Sequence, residues 1–142
     1  MTQTPMQSLP WPDEALSYAA LPASGDDGFP QVFRVELGGT IYRLTLGVSF
    51  TDPALVLGSQ YAGTFFDLPD PDRGLFLTVR VDREDLPPES GLLGVRRVVL
   101  YLPIPLGRLR FRFTRIKIAQ ANLAGPGQFG SELAGEVAVS NV

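Results

Sequence analysis

The chain has no cysteine and no histidine among its 142 residues. Without cysteine there are no disulfides and no thiolate metal sites. Without histidine the commonest zinc ligand and the commonest general base are missing as well. Lysine is nearly absent too, since Lys117 stands alone beside eleven arginines. A serine nucleophile would need a base, and Lys117 lies among arginines with no Ser-x-x-Lys spacing around it. Charge is sparse, at 19% of residues with a net value of −3, which argues against general binding to nucleic acid or to an anionic membrane. No apolar run approaches the roughly 18–20 residues of a membrane span. Met1-Thr2-Gln3-Thr4-Pro5 carries neither a basic start nor an apolar stretch, so the expectation is a protein made and kept in the cytoplasm, or leaving it without a signal.

What is present is apolar enough to fold. Hydrophobic residues make up 44%, and a chain of this length fits one domain that buries roughly 68–70% of its unfolded surface. Residues 1–30 stand apart, with Pro5, Pro10, Pro12, Pro22 and Pro30, no basic residue, and one candidate helical turn from Pro12 through Leu16 to Tyr18. This stretch reads as an extended, Pro-rich arm in which Trp11, Leu16 and Tyr18 are candidate interface residues. The rest, 31–142, reads as one β domain.

The strongest local signal is Gln31-Val32-Phe33-Arg34-Val35-Glu36-Leu37, then Gly38-Gly39, then Thr40-Ile41-Tyr42-Arg43-Leu44-Thr45-Leu46. Two alternating runs joined by Gly-Gly specify a hairpin, because both central residues of a type I′ turn need φ > 0. Pairing Leu37 with Thr40 sets Val35 opposite Tyr42, Phe33 opposite Leu44 and Gln31 opposite Leu46, gathering the large apolar groups on one face. The other face then carries Glu36 opposite Ile41 and Arg34 opposite Arg43. Residues 47–74 predict a long loop with at most one short strand. Leu75 to Asp82 alternates as a strand. Val95 to Leu102 is almost continuously apolar after Arg96-Arg97, which predicts a strand covered on both sides and stopped by Pro103 and Pro105.

Arg108 to Ile118 changes phase, its apolar positions being odd up to Phe113 and even from Ile116. A β-bulge near Thr114-Arg115 would restore one apolar face. Gly125-Pro126-Gly127 turns the chain and Glu136 to Ser140 supplies a last strand. The fold expected is therefore all-β, a single barrel or sandwich of about six to eight mostly antiparallel strands.

Few residue groups point to chemistry. Gly125 to Gly130 fits G-x-G-x-x-G, but too little chain follows for the crossover helix and acidic ribose ligand of a dinucleotide site, so a glycine turn is the reading. Asp67, Asp70 and Asp72 read as a solvated acidic turn stiffened by Pro69 and Pro71. Arg108, Arg110, Arg112, Arg115 and Lys117 place five cations on one strand face. Such a face is either solvated, or an ion-paired interface with another copy or with the acidic 82–89 segment, or a nucleic-acid contact disfavoured by the net charge and by the lack of interleaved aromatics. No cofactor and no metal is expected.

The hairpin over Phe33–Leu46, with Leu75-Phe76-Leu77-Thr78-Val79 and Gly91-Leu92-Leu93-Gly94-Val95, resembles the baseplate plug proteins of tailed bacteriophages and related contractile particles. The resemblance spans about a third of the chain. A tryptophan near Leu75 and an acidic residue near Thr78, usual in that family, are missing, and the arm and the 47–74 loop are additional. The resemblance implies a non-enzymatic structural subunit of a virion or tail-like particle, seated at the baseplate end of the tail tube. Its partners would be tube, hub or baseplate subunits or a second copy of itself, bound through the arm and the basic strand read above. The alternatives are a capsid decoration or tail accessory protein, and a β-barrel module for a small ligand or glycan.

Overall fold

The computed structural model describes residues 16–140. Two antiparallel sheets face each other, as expected of an all-β sandwich. One sheet is ordered β2 (Gln31–Leu37), β3 (Thr40–Ser49), β5 (Phe76–Arg83), β6 (Leu92–Arg97). The other is ordered β1 (Ala19–Ala20), β9 (Glu132–Val139), β8 (Leu109–Ala119), β4 (Phe65–Asp67), with β7 (Ile104–Leu106) on the same side of β8 as β4. Among the described residues no helix is long and apolar enough to cross a membrane.

The β2–β3 hairpin has the register that its alternation dictates, Leu37 with Thr40, Val35 with Tyr42, Phe33 with Leu44 and Gln31 with Leu46. Gly38 and Gly39 take φ of 58° and 81°, the left-handed pair that a type I′ turn requires. The bulge in β8 is also where the phase change puts it: Phe113 faces Gly135, Arg115 faces Ala134, and Thr114 is the extra residue. Phe111 and Phe113 before it and Ile116 and Ile118 after it consequently all point inward. They meet Leu44, Leu46, Leu77 and Val79 of the opposite sheet in one core. Each such side chain contributes roughly 1.5–3 kcal/mol by leaving water.

Three expectations change. Val95 to Leu102 is not a strand covered on both sides. β6 ends at Arg97, after which Val98 is fully buried and Leu100 packs partly against the core, because here the chain must leave one sheet for the other. Val99, Leu100, Tyr101 and Leu102 form the connecting turn, in which Leu102 N–H donates to Val99 O at 3.3 Å. The last strand begins at Glu132, four residues earlier than expected. Of the arm over residues 1–30, residues 1–15 lie outside the described residues, with Trp11 and most of the candidate helical turn. The described remainder is part of the sandwich: Ala19 and Ala20 pair with Val137 and Glu136, and Leu21 and Phe29 join the core.

The glycine-rich turn is clasped from the other end of the chain. Asp26 Oδ1 accepts the N–H groups of Phe129, Gly130 and Ser131 at 3.2, 3.1 and 3.0 Å. Three successive amides converging on one oxygen are the arrangement in which loops hold phosphate. Here the chain's own carboxylate occupies it, so the G-x-G-x-x-G match is a structural turn.

Candidate protein interface

β8 presents the basic face. Strand alternation on each side of the Thr114 bulge turns Arg110, Arg112, Arg115 and Lys117 to the outside of the sheet, with Arg108 in the turn before it. β9 answers two of these charges. Arg112 Nη2 lies 2.6 Å from Glu136 Oε2, its register partner, and Arg115 Nε lies 2.8 Å from Glu132 Oε1. The Arg115 hydrogen bond holds the Glu132 carboxyl below its ordinary value. Aromatic rings take up more of the face. The Arg112 guanidinium sits 4.2 Å from the centre of the Tyr18 ring, and Lys117 Nζ 5.3 Å from that of Phe65. Arg110 donates to the carbonyls of Gly107 and Leu109, both at 2.9 Å, and Arg108 to Ser140 O at 3.3 Å.

The cations are therefore met within the chain by β9 carboxylates, aromatic rings and backbone carbonyls. The acidic 82–89 segment has no part in this. It lies on the other sheet, where Asp82 and Glu84 hold Arg43, Arg80 and Arg34, and where Arg83 keeps Asp85 ionised below its usual range. That network settles the like-charge pair Arg34–Arg43, since Glu84 Oε1 is 2.7 Å from Arg34 and its other oxygen 3.9 Å from Arg43. A cleft of about 250 Å³ opens beside it, lined by Arg43, Asp82, Arg83 and Glu84 with Leu86, Pro88 and Gly91. Its charges are balanced, two of each sign.

The sequence offered Tyr18 and Leu16 as residues of the arm and the five cations as a separate basic strand; the structure sets the Tyr18 ring against Arg112 and leaves Leu16 half-buried. Sequence reasoning missed the turn after β6. Tyr101 is 65% exposed, Leu102 56% and Val99 45%. Tyr101 is also the one described non-glycine residue with positive φ, at 68°. A left-handed tyrosine costs roughly 1–2 kcal/mol, and such strain survives where the surroundings impose it. The imposing contact is Tyr101 N–H to Phe113 O at 2.8 Å, on the open stretch of β8's edge between β7 and β4 and next to the bulge. Apolar side chains are thereby held in water beside a basic strand. The legible clue was the pair Pro103 and Pro105, which leaves a run this apolar no room to finish as a strand.

The remaining candidates carry structure. Asp70 accepts Arg73 N–H and pairs with its guanidinium at 2.7 Å, and Arg73 spans the rings of Tyr61 and Phe66 at 5.6 Å each. Among the described residues no group of three or more acidic side chains is placed to hold a metal ion. No known protein family, no curated protein and no solved structure matches the chain.

Proposed function

We propose that the protein is a non-enzymatic structural subunit that docks into a larger protein assembly through the β8 face and the Tyr101 turn. The observation that carries this reading is the strained, exposed apolar turn over Val99–Leu102 beside a basic strand. A monomeric protein gains nothing from holding a tyrosine outward in an unfavourable backbone conformation, whereas a partner that buries the ring would recover its apolar surface. The resemblance of the β2–β3 hairpin to plug proteins supplies the assembly: a phage tail or tail-like particle, at the baseplate end of the tube, with the protein localised to the virion.

A barrel module for a small ligand is less well supported. Leu44, Leu77, Phe111 and Phe113 fill the space between the sheets, Phe66 of the aromatic loop is buried, and its one exposed ring, Phe65, is taken up by Lys117. Mass spectrometry and reconstruction of purified particles provide the test. The protein should co-purify at a few copies per particle and touch tube or hub subunits through Tyr101 and β8. Tyr101→Gly should keep or slightly raise the melting temperature, because glycine tolerates the positive φ, while lowering incorporation at least tenfold. Absence from purified particles, or normal incorporation of that variant, would refute the assignment.

A further inference from the structure

The four sheet edges are not equally protected. An open edge offers a row of unpaired N–H and C=O groups, and folded proteins blunt such rows with short strands, prolines, bulges or inward charges. At one edge of the β8 sheet stands β1, of two residues. At the other stand two separate three-residue strands, β4 and β7, the latter carrying Pro105. β6 is broken by a register shift and ends in Arg96-Arg97. Among the described residues no strand pairs with the outer edge of β2, and its charges, Arg34 and Glu36, lie on the outward face. Its seven residues pair with β3 without interruption, it contains no proline, and its inward side chains are Gln31, Phe33, Val35 and Leu37, none of them charged.

The direction of its free backbone groups follows from its neighbour. Ile41 O accepts Glu84 N–H at 3.0 Å on the far side of β3, so Glu36 and Ile41 are a pair that exchanges no bonds. Glu36 therefore aims its N–H and C=O at the open edge, and by alternation so do Arg34 and Val32. Val32 is 57% exposed, and the Arg34 side chain 63%.

We infer that this edge pairs with the same edge of a second copy, antiparallel about a two-fold axis at Val35, joining two sandwiches through one continuous eight-stranded sheet. The register is decided by charge. Centring on Val35 sets Arg34 opposite the second copy's Glu36 twice over, and Val35 opposite Val35 and Phe33 opposite Leu37 on the inward side. Centring on Arg34 or on Glu36 would set like charges face to face, which destabilises a pair of strands. The two Arg–Glu positions are also the ones whose backbone groups face outward, so each exchanges two bonds, about four in all. Glu36 has no ion partner among the described residues. Arg34 holds Glu84, yet its guanidinium has further N–H groups to give. This association stands independently of the docking face on β8, which belongs to the other sheet.

Sedimentation of the full chain over a wide concentration range tests the inference. The natural sequence should show a monomer–dimer equilibrium. Arg34→Glu or Glu36→Arg should each weaken it roughly tenfold or more, by turning two attractions into two repulsions. The double reversal, Arg34→Glu with Glu36→Arg, should restore it, with circular dichroism verifying that all three variants are folded. A merely structural role for these residues would give no such rescue. A natural sequence that stays monomeric throughout overturns the proposal. So does a dimer indifferent to the single reversals, or a double variant that fails to recover.

Discussion

Asn122 is the most exposing test of how the glycine-rich turn is held. It is fully buried, its Nδ2 faces the carbonyls of Gly125, Gly127 and Asp26 at 3.2, 3.1 and 3.4 Å, and its Oδ1 accepts Ser131 Oγ at 2.5 Å. Asn122→Asp keeps size and shape while replacing two N–H donors by an acceptor. Two hydrogen bonds at about 1 kcal/mol each are lost, and buried carbonyls left facing an oxygen add about 1–3 kcal/mol, so the variant should lose about 3–5 kcal/mol near neutral pH. At roughly 2–4 °C per kcal/mol, that is a drop of about 6–20 °C in melting temperature. The deficit has a pH signature. Burial among carbonyls raises the new carboxyl's folded pKa above its unfolded value near 4, so the extra loss is absent below about pH 4. It grows as the unfolded state ionises, and levels off above the folded pKa. Urea midpoints at pH 4 and pH 8 measure both parts. A variant within 1 kcal/mol of the natural chain at pH 8, or a deficit that does not change with pH, would show that Asn122 is not what ties the turn together.

Two further outcomes are expected. Gly39→Ala should cost about 1–2 kcal/mol through the backbone alone, since an added Cβ meets nothing within 4 Å while φ is 81°; the urea midpoint should fall with the slope unchanged, and Gly39→Asn should cost less. Glu132→Gln should be less stable than the natural chain above about pH 5 and equal to it in strong acid, because the carboxyl's lowered folded pKa contributes stability that disappears as pH falls through that value. A difference that persists in strong acid would mean that Glu132 acts through packing and not through Arg115.

Much of the fold was legible because its signals are local. The β2–β3 register follows from period-two alternation closed by Gly38-Gly39, and the Thr114 bulge from a phase change confined to one strand. What escaped was decided by partners distant in sequence. Asp26 gives no hint that it will bind amides at residues 129–131, and Glu132 and Glu136 become partners of the basic strand only once β9 lies beside it. The Val99–Leu102 turn escaped for another reason. Hydrophobicity reports burial only on average, and an apolar run held outward by one backbone hydrogen bond at Phe113 looks the same in sequence as a core strand.

The lengths of chain between partners also bear on how the protein comes off the ribosome. The β2–β3–β5–β6 sheet is complete once Arg97 has been made and can form early, whereas β8 and β9 emerge late and the 19–30 segment, made before either, has nothing to rest on until β9 arrives. Long-range closure of this kind is slow. For that interval the nascent chain carries the inner face of its first sheet, Leu44, Leu46, Leu77 and Val79, bare to solvent and next to the unguarded β2 edge. It is then at its most prone to stick to its neighbours on the same message, and most in need of a chaperone.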